Sequence, residues 1–294
     1  MKKNYFLYFI ALLLFGTNGC VASLIHLDSS MIVLLRTLIG SVFLFGIFLI
    51  KREPFTFHHY PKSMLFLTLS GLCMGISWMF IYEAYNYIGV SLASLCNYSS
   101  LILVMVASVI IFKERLTFSK VIGFIIVVSG MMLINENALH ERLSSHGLFL
   151  GMMACLFYAL MIIFNKKAAP ISGIENATIQ LFMSFLVTAF FVIFKKGFTL
   201  DMPAGDTLPI FILGIVNTGI GCYFYFSCIG KLPTSTVAIC DYLELLSAII
   251  FATIFLGERL TFIQTLGACM IIGGAIFANL FDKRRQAISL STAH

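Results

Sequence analysis

The stretch Phe112-Lys113-Glu114-Arg115-Leu116-Thr117-Phe118 returns almost unchanged as Leu256-Gly257-Glu258-Arg259-Leu260-Thr261-Phe262, 144 residues later. Holding that offset without a gap, Cys96 meets Cys240, Asn97 meets Asp241, Tyr98 meets Tyr242 and Ser100 meets Glu244. Gly123 then meets Gly267, and Gly130 meets Gly274. The chain is a duplication, and its copies are long apolar segments rather than the short units of a solenoid. Two such halves imply a membrane protein with a site between them.

Composition sets the solvent. At 294 residues, 60% hydrophobic and 11% charged, with a mean hydropathy of +1.00, the chain has too little polar surface for a water-soluble globule. A span needs about 20 apolar residues, which leaves room for roughly ten helices. They are expected near Tyr5–Ile25, Met31–Ile50, Ser63–Glu83, Ser91–Phe112, Thr117–Ile134, Gly147–Asn165, Glu175–Phe194, Thr207–Cys228, Ser235–Leu256 and Thr261–Phe281. Lys2 and Lys3 before an apolar run resemble a signal peptide, but apolar character continues to Ile25 without an A-x-A site, so an uncleaved first span is expected. The eight cysteines lie in apolar segments without a CxxC pair and read as packing residues.

The net charge of +6 is scattered in short groups between spans, which is a membrane-orientation pattern rather than a nucleic-acid surface. With a cytoplasmic start, fourteen of the nineteen Lys and Arg fall inside; only Arg142, Lys195, Lys196 and Arg259 fall outside, and Arg36 is embedded. Both termini are therefore expected in the cytoplasm. Five spans per half is an odd number, so the second copy enters the membrane upside down. The expected fold is an all-α integral membrane protein, ten transmembrane helices as two inverted five-helix repeats. Its divisions are a first repeat over 1–135, an external linker over 136–146, a second repeat over 147–281 and a short disordered cytoplasmic tail over 282–294.

These residues resemble the drug/metabolite transporter superfamily, EamA-type, across essentially the whole chain. The resemblance is carried by Phe15-Gly16-Thr17-Asn18 in the first span, Arg36 in the second, Glu114-Arg115-Leu116-Thr117 with its twin Glu258-Arg259-Leu260-Thr261, and Tyr242-Leu243-Glu244. It implies a carrier of small metabolites, amino acids or toxic compounds, often outward. The family tends to place proline where this chain has Leu245 and Leu101, so spans four and nine are expected to be straighter than usual.

An ionisable group in mid-bilayer costs about 2.5 to 3.5 kcal/mol on insertion scales and marks function by default. Glu244 falls near the midplane of span nine, with Asp241 one turn earlier on the same face. Two carboxylates so placed repel when both are charged, so a shared, exchangeable proton is expected, and the pair is a candidate for proton coupling and substrate binding. Arg36 lies about 7 to 8 Å below the outer end of its span. It is expected to snorkel to the interface as an anchor, its functional alternative being charge partner to Glu244 or holder of a substrate carboxylate. Asn97 and Ser100, the first-half counterparts of the acidic pair, are neutral candidates for the same cavity. Asn18, Trp78, Tyr158, Tyr223 and Tyr242 complete the candidate substrate-binding set, with an interhelical hydrogen bond the plainer role for Asn18 and for Gln180. Trp78 and Tyr82 share a face that can pack over a cation.

Glu114-Arg115 and Glu258-Arg259 read as interfacial ion pairs at helix starts, with Thr117 and Thr261 as N-caps and Thr261 to Gln264 as a capping box. The paired glycines suit close helix packing, including packing between protomers of a homodimer. No H-E-x-x-H, G-x-S-x-G or phosphate-cradling loop points to an enzyme, and no cofactor or metal is expected. The expected partners are a small-molecule substrate and the lipid bilayer, with no nucleic acid. The function expected is alternating-access transport across the plasma membrane; the alternative is a membrane-embedded sensor or structural subunit without net transport.

Overall fold

A computed structural model describes residues 2–52, 55–134, 144–196, 202–255, 257 and 261–291. Most of the expected external linker, with Arg142, and the second Glu258-Arg259 pair lie outside the described residues. All regular secondary structure among the described residues is helical. In chain order the apolar helices are α1 (Lys3–Ala22), α2 (Ser29–Lys51), α3 (Pro61–Val90), α4 (Leu92–Ile110), α5 (Phe118–Ile134), α6 (Ser145–Lys167), α7 (Gly173–Lys195), α8 (Thr207–Ile229), α9 (Thr234–Phe255) and α10 (Phe262–Ala278). Eight of these are long and apolar enough to cross a membrane; α5 and α10 are shorter. Large side chains such as Ile50, Ile110 and Phe262 stand exposed on the outside, a surface that lipid rather than water solvates. The chain is a multi-pass membrane protein.

The repeat is visible element by element. The limits of α2 shifted by the sequence offset are those of α7, and the limits of α5 shifted likewise are those of α10. Packing follows the same relation: α3 lies on α6 as α8 lies on α1, and α2 meets α7 while α5 meets α10. The glycines settle the hand. A Cβ on Gly123 would meet the Gly274 carbonyl at 2.7 Å, and one on Gly130 would meet the Gly267 carbonyl at 2.6 Å. Because the earlier residue of α5 meets the later residue of α10, the helices run antiparallel, and one copy is inverted relative to the other. These glycines give the close helix packing expected of them, and they do so between the halves of one chain.

Several local features differ from the sequence expectation. The third helix continues beyond Glu83 and ends in a kink at Gly89, whose φ of 74° favours a residue without a side chain. The position related to Gly89 by the offset is Pro233, which opens α9 with φ −57° and ψ 138°. Without the family's prolines, α4 and α9 are nonetheless interrupted. The Ile102 N–H donates to the Ser99 carbonyl at 3.0 Å and the Glu244 N–H to the Asp241 carbonyl at 3.0 Å, three-residue bonds that tighten each helix where straightness is expected. The last helix runs on to Ser291, so the segment expected to be disordered is helical through that residue. Thr261 and Gln264 form the expected capping box, each side chain accepting the other's backbone N–H at 3.1 Å. Lys195, out of line with the inside bias, is neutralised by Glu83 at 2.7 Å.

Candidate functional site

A cavity of about 80 Å³ lies where the two copies meet, with Phe15, Asn18, Arg36, Trp78, Tyr158 and Glu244 among its walls. The helices bringing these side chains together are irregular at that level. α1 breaks at Thr17, beside Asn18; α8 carries a π-helical stretch over Leu213–Ile220; and α9 breaks at Asp241. Backbone irregularity at membrane depth is tolerated where it lines a cavity or is buried in protein. The side-chain amide of Asn217, inside the π stretch, donates to the Leu14 carbonyl at 2.9 Å and to Thr17 Oγ1 at 2.7 Å, tying the break in α1 to α8.

Arg36 does not snorkel. It is 6% exposed, and its Nε donates to Thr218 Oγ1 at 2.9 Å. Its guanidinium lies 4.8 Å from the centroid of the Trp78 ring, the cation-over-aromatic arrangement expected of that tryptophan's face. Thr218 belongs to the π stretch and itself donates to the Leu213 carbonyl at 2.8 Å, so the irregular turn holds the residue that orients the arginine. Glu244 stands on the same cavity, partly exposed to it, and its carboxylate accepts no hydrogen bond from the described residues. Arg36 and Glu244 form no ion pair, so a guanidinium and a carboxyl group face one space without meeting.

The structure does not hydrogen-bond Asp241 to Glu244. Asp241 is buried, with one oxygen accepting from the Tyr8 hydroxyl and the other from the Tyr225 hydroxyl at 2.9 Å. The two tyrosine rings stack with centroids 5.4 Å apart. Tyr8 reaches this position because Gly16 lets α1 close onto Ser247 of α9, whose hydroxyl donates to the Leu12 carbonyl at 3.1 Å.

The other candidates divide. Asn18, Trp78 and Tyr158 line the cavity; the Asn18 Oδ1 is buried without a partner, so its plainer interhelical role is not the one seen. Gln180 does take that role, donating to Ser70 Oγ at 2.9 Å and accepting from Asn165 at 3.2 Å. Asn97 Oδ1 and Ser100 Oγ are buried and unpartnered but are not among the cavity walls. Tyr242 donates to the Tyr98 carbonyl at 3.2 Å, and Tyr223 lies under the Lys51 ammonium at 5.5 Å, while its neighbour Tyr225 lines the cavity. Tyr8 and Thr218 escape sequence reasoning, since nothing local separates them from other apolar-helix residues and only the fold supplies their charged partners.

A multi-pass helical bundle of two inverted copies around a small cavity of mixed polar and apolar lining is an architecture that membrane transporters use. The chain belongs to the EamA-like transporter family, whose model matches residues 2–136 and 145–280. It is 25% identical over 268 residues to the uncharacterized transporter YxxF of Bacillus subtilis (strain 168), covering 90% of this chain and 86% of that one. It is 26% identical over 301 residues to a probable amino-acid metabolite efflux pump of Salmonella typhimurium, covering 96% of each. A solved crystal structure shares the fold with a TM-score of 0.82 at 16% identity, covering 95% of this chain and 98% of that one. The protein is a membrane transporter of the drug/metabolite transporter superfamily.

Proposed function

We propose that this protein is a secondary active transporter that exports small metabolites, amino acids or related zwitterionic or cationic compounds, across the plasma membrane by alternating access. All ten apolar helices span in this reading, and both termini are cytoplasmic, in keeping with the bias of Lys and Arg toward that side. The observation that carries it is Glu244, an unpartnered carboxylate on a cavity at the junction of the inverted copies, where a carrier of this architecture binds its cargo. The name of the Salmonella relative favours amino-acid metabolites.

Coupling follows from the two acids. Glu244 faces the cavity and exchanges its proton with whatever occupies it, whereas Asp241, held by Tyr8 and Tyr225, ties α9 to α1 and α8. Protonation and cargo shift the equilibrium only as far as they bind one state better than the other. The test is counterflow of labelled amino acids and cationic metabolites in proteoliposomes, with and without a pH gradient, beside Glu244→Gln. Substrate-specific exchange lost in a folded Glu244→Gln is expected, with net flux that responds to the gradient. No exchange across the panel by folded protein would replace transport with a sensing or structural role.

A further inference from the structure

The cavity leaves a guanidinium and a carboxyl group without partners. A guanidinium carries five N–H donors, and at Arg36 the described residues take the Nε donor through Thr218 and provide no carboxylate for the rest. Glu244 across the same space has no hydrogen bond from them either. A buried cation without a counter-group is costly, and Arg36 and Glu244 form no ion pair that would relieve it. The repeat sharpens the point. By the sequence offset Arg36 corresponds to Gln180, whose amide is satisfied by Ser70 and Asn165, and Glu244 corresponds to Ser100. One copy therefore contributes a guanidinium and the other a carboxyl group to a junction whose Trp78 and Cys222, themselves a related pair, both line it.

We infer that the missing partner is the cargo itself, a neutral α-amino acid, admitted as the halves part, since the cavity in this state measures about 80 Å³ and is smaller than the cargo. Its carboxylate takes the free Nη donors of Arg36, its ammonium pairs with Glu244, and its apolar side chain packs against Met74, Met161 and Phe226. This rests on the carrier reading for its setting and adds to it which end of the substrate meets which residue. Thr218 and Trp78 are positioning residues, one fixing Nε and the other flanking the guanidinium at 4.8 Å. Compounds with one charged end satisfy one wall and leave the other buried and bare.

The test is equilibrium binding to the full chain in lipid nanodiscs, with L-leucine, L-methionine and L-phenylalanine as probes. Each is compared with its methyl ester, which lacks the carboxylate, and its N-acetyl derivative, which lacks the ammonium. The wild type is expected to bind at least one amino acid and to bind its ester and its N-acetyl form about tenfold or more weakly. Arg36→Gln should abolish discrimination against the ester while keeping that against the N-acetyl form, and Glu244→Gln should do the reverse. Arg36→Lys, which keeps the charge and loses the fork, should fall between. If a variant does not fold, as judged by thermal unfolding, the wild-type analogue series decides alone. Failure of folded wild type to bind any of the three amino acids overturns the inference, as does equal binding of either analogue. Loss of acid and ester in equal proportion in Arg36→Gln overturns it too. Selective binding without counterflow would sink the carrier reading and leave the two-point site; counterflow of cargo lacking a carboxylate would do the opposite.

Discussion

Glu114 shows how a single side chain can be misread from its neighbours. Its carboxylate accepts from the Thr234 N–H at 2.6 Å, the Ser235 N–H at 3.0 Å and the Ser235 hydroxyl at 2.7 Å, capping the first turn of α9 rather than pairing with Arg115. Lys120, buried at the start of α5, donates to the same Ser235 hydroxyl at 3.1 Å. Burial opposes ionisation of Glu114, but these hydrogen bonds outweigh it and hold the carboxyl below the usual carboxylate range. A folded-state value lowered in this way contributes stability that is present above the unfolded value and is lost as pH falls through the folded one. Glu114→Gln should therefore lower stability by about 1 kcal/mol at neutral pH. The gap to wild type should close in acid below the titration. Thermal unfolding of both proteins across that range tests it, and a gap that persists in acid would refute the cap. The repeated motif marks Glu114 in the sequence, but its partner lies 120 residues away and no local pattern names it. Arg36 has the same history: its depth suggests an anchor, and only Thr218 and Trp78 reveal that it is held inside.

At the scale of helices, glycine spacing was legible and its use was not. Gly123 and Gly130 mark one face of α5 in the sequence, yet whether that face meets another protomer or the other half of the chain depends on the three-dimensional path. The seam they form with Gly274 and Gly267 is backbone against backbone, with would-be Cβ contacts of 2.6 to 2.7 Å to the opposing carbonyls. Gly123→Ala or Gly274→Ala should each destabilise by about 1 to 3 kcal/mol through overpacking. Because both load one contact, the double variant should cost less than the two together, whereas Gly123→Ala with Gly267→Ala should add. Chemical unfolding of the three single and two double variants in mixed micelles measures this; strict additivity for the first pair would show that the helices part without sharing the strain. The breaks at Ser99 and Asp241 were hidden because the family's prolines are absent, and the π stretch of α8 has no composition that distinguishes it from a regular apolar helix.

Over the whole molecule, duplication, membrane residence and inversion could all be read from the sequence, since each depends on periodicity, hydropathy and an odd number of spans. The present imbalance between the halves could not. Between α2 and α7 a groove of about 370 Å³ opens along Leu38, Val42, Phe45, Thr178 and Phe182. At the other end the same two helices close over Met31, Leu34 and Val192, with Ala189 against them. Phe45 and Thr178 across the open end correspond by the offset to Ala189 and Leu34 at the closed one. If the halves rock, spin labels at Phe45 and Thr178 should approach as labels at Leu34 and Ala189 part; pairs that move in the same direction, or not at all during turnover, would refute exchange. The glycine seam has a further consequence, measured in lineages rather than in ångströms. The copies differ at the cavity, with Arg36 against Gln180 and Glu244 against Ser100, and those positions answer to different neighbours. At the seam each copy is the other's neighbour, so a bulkier residue in one requires a concession in its twin, and descent there must proceed by paired steps or stand still.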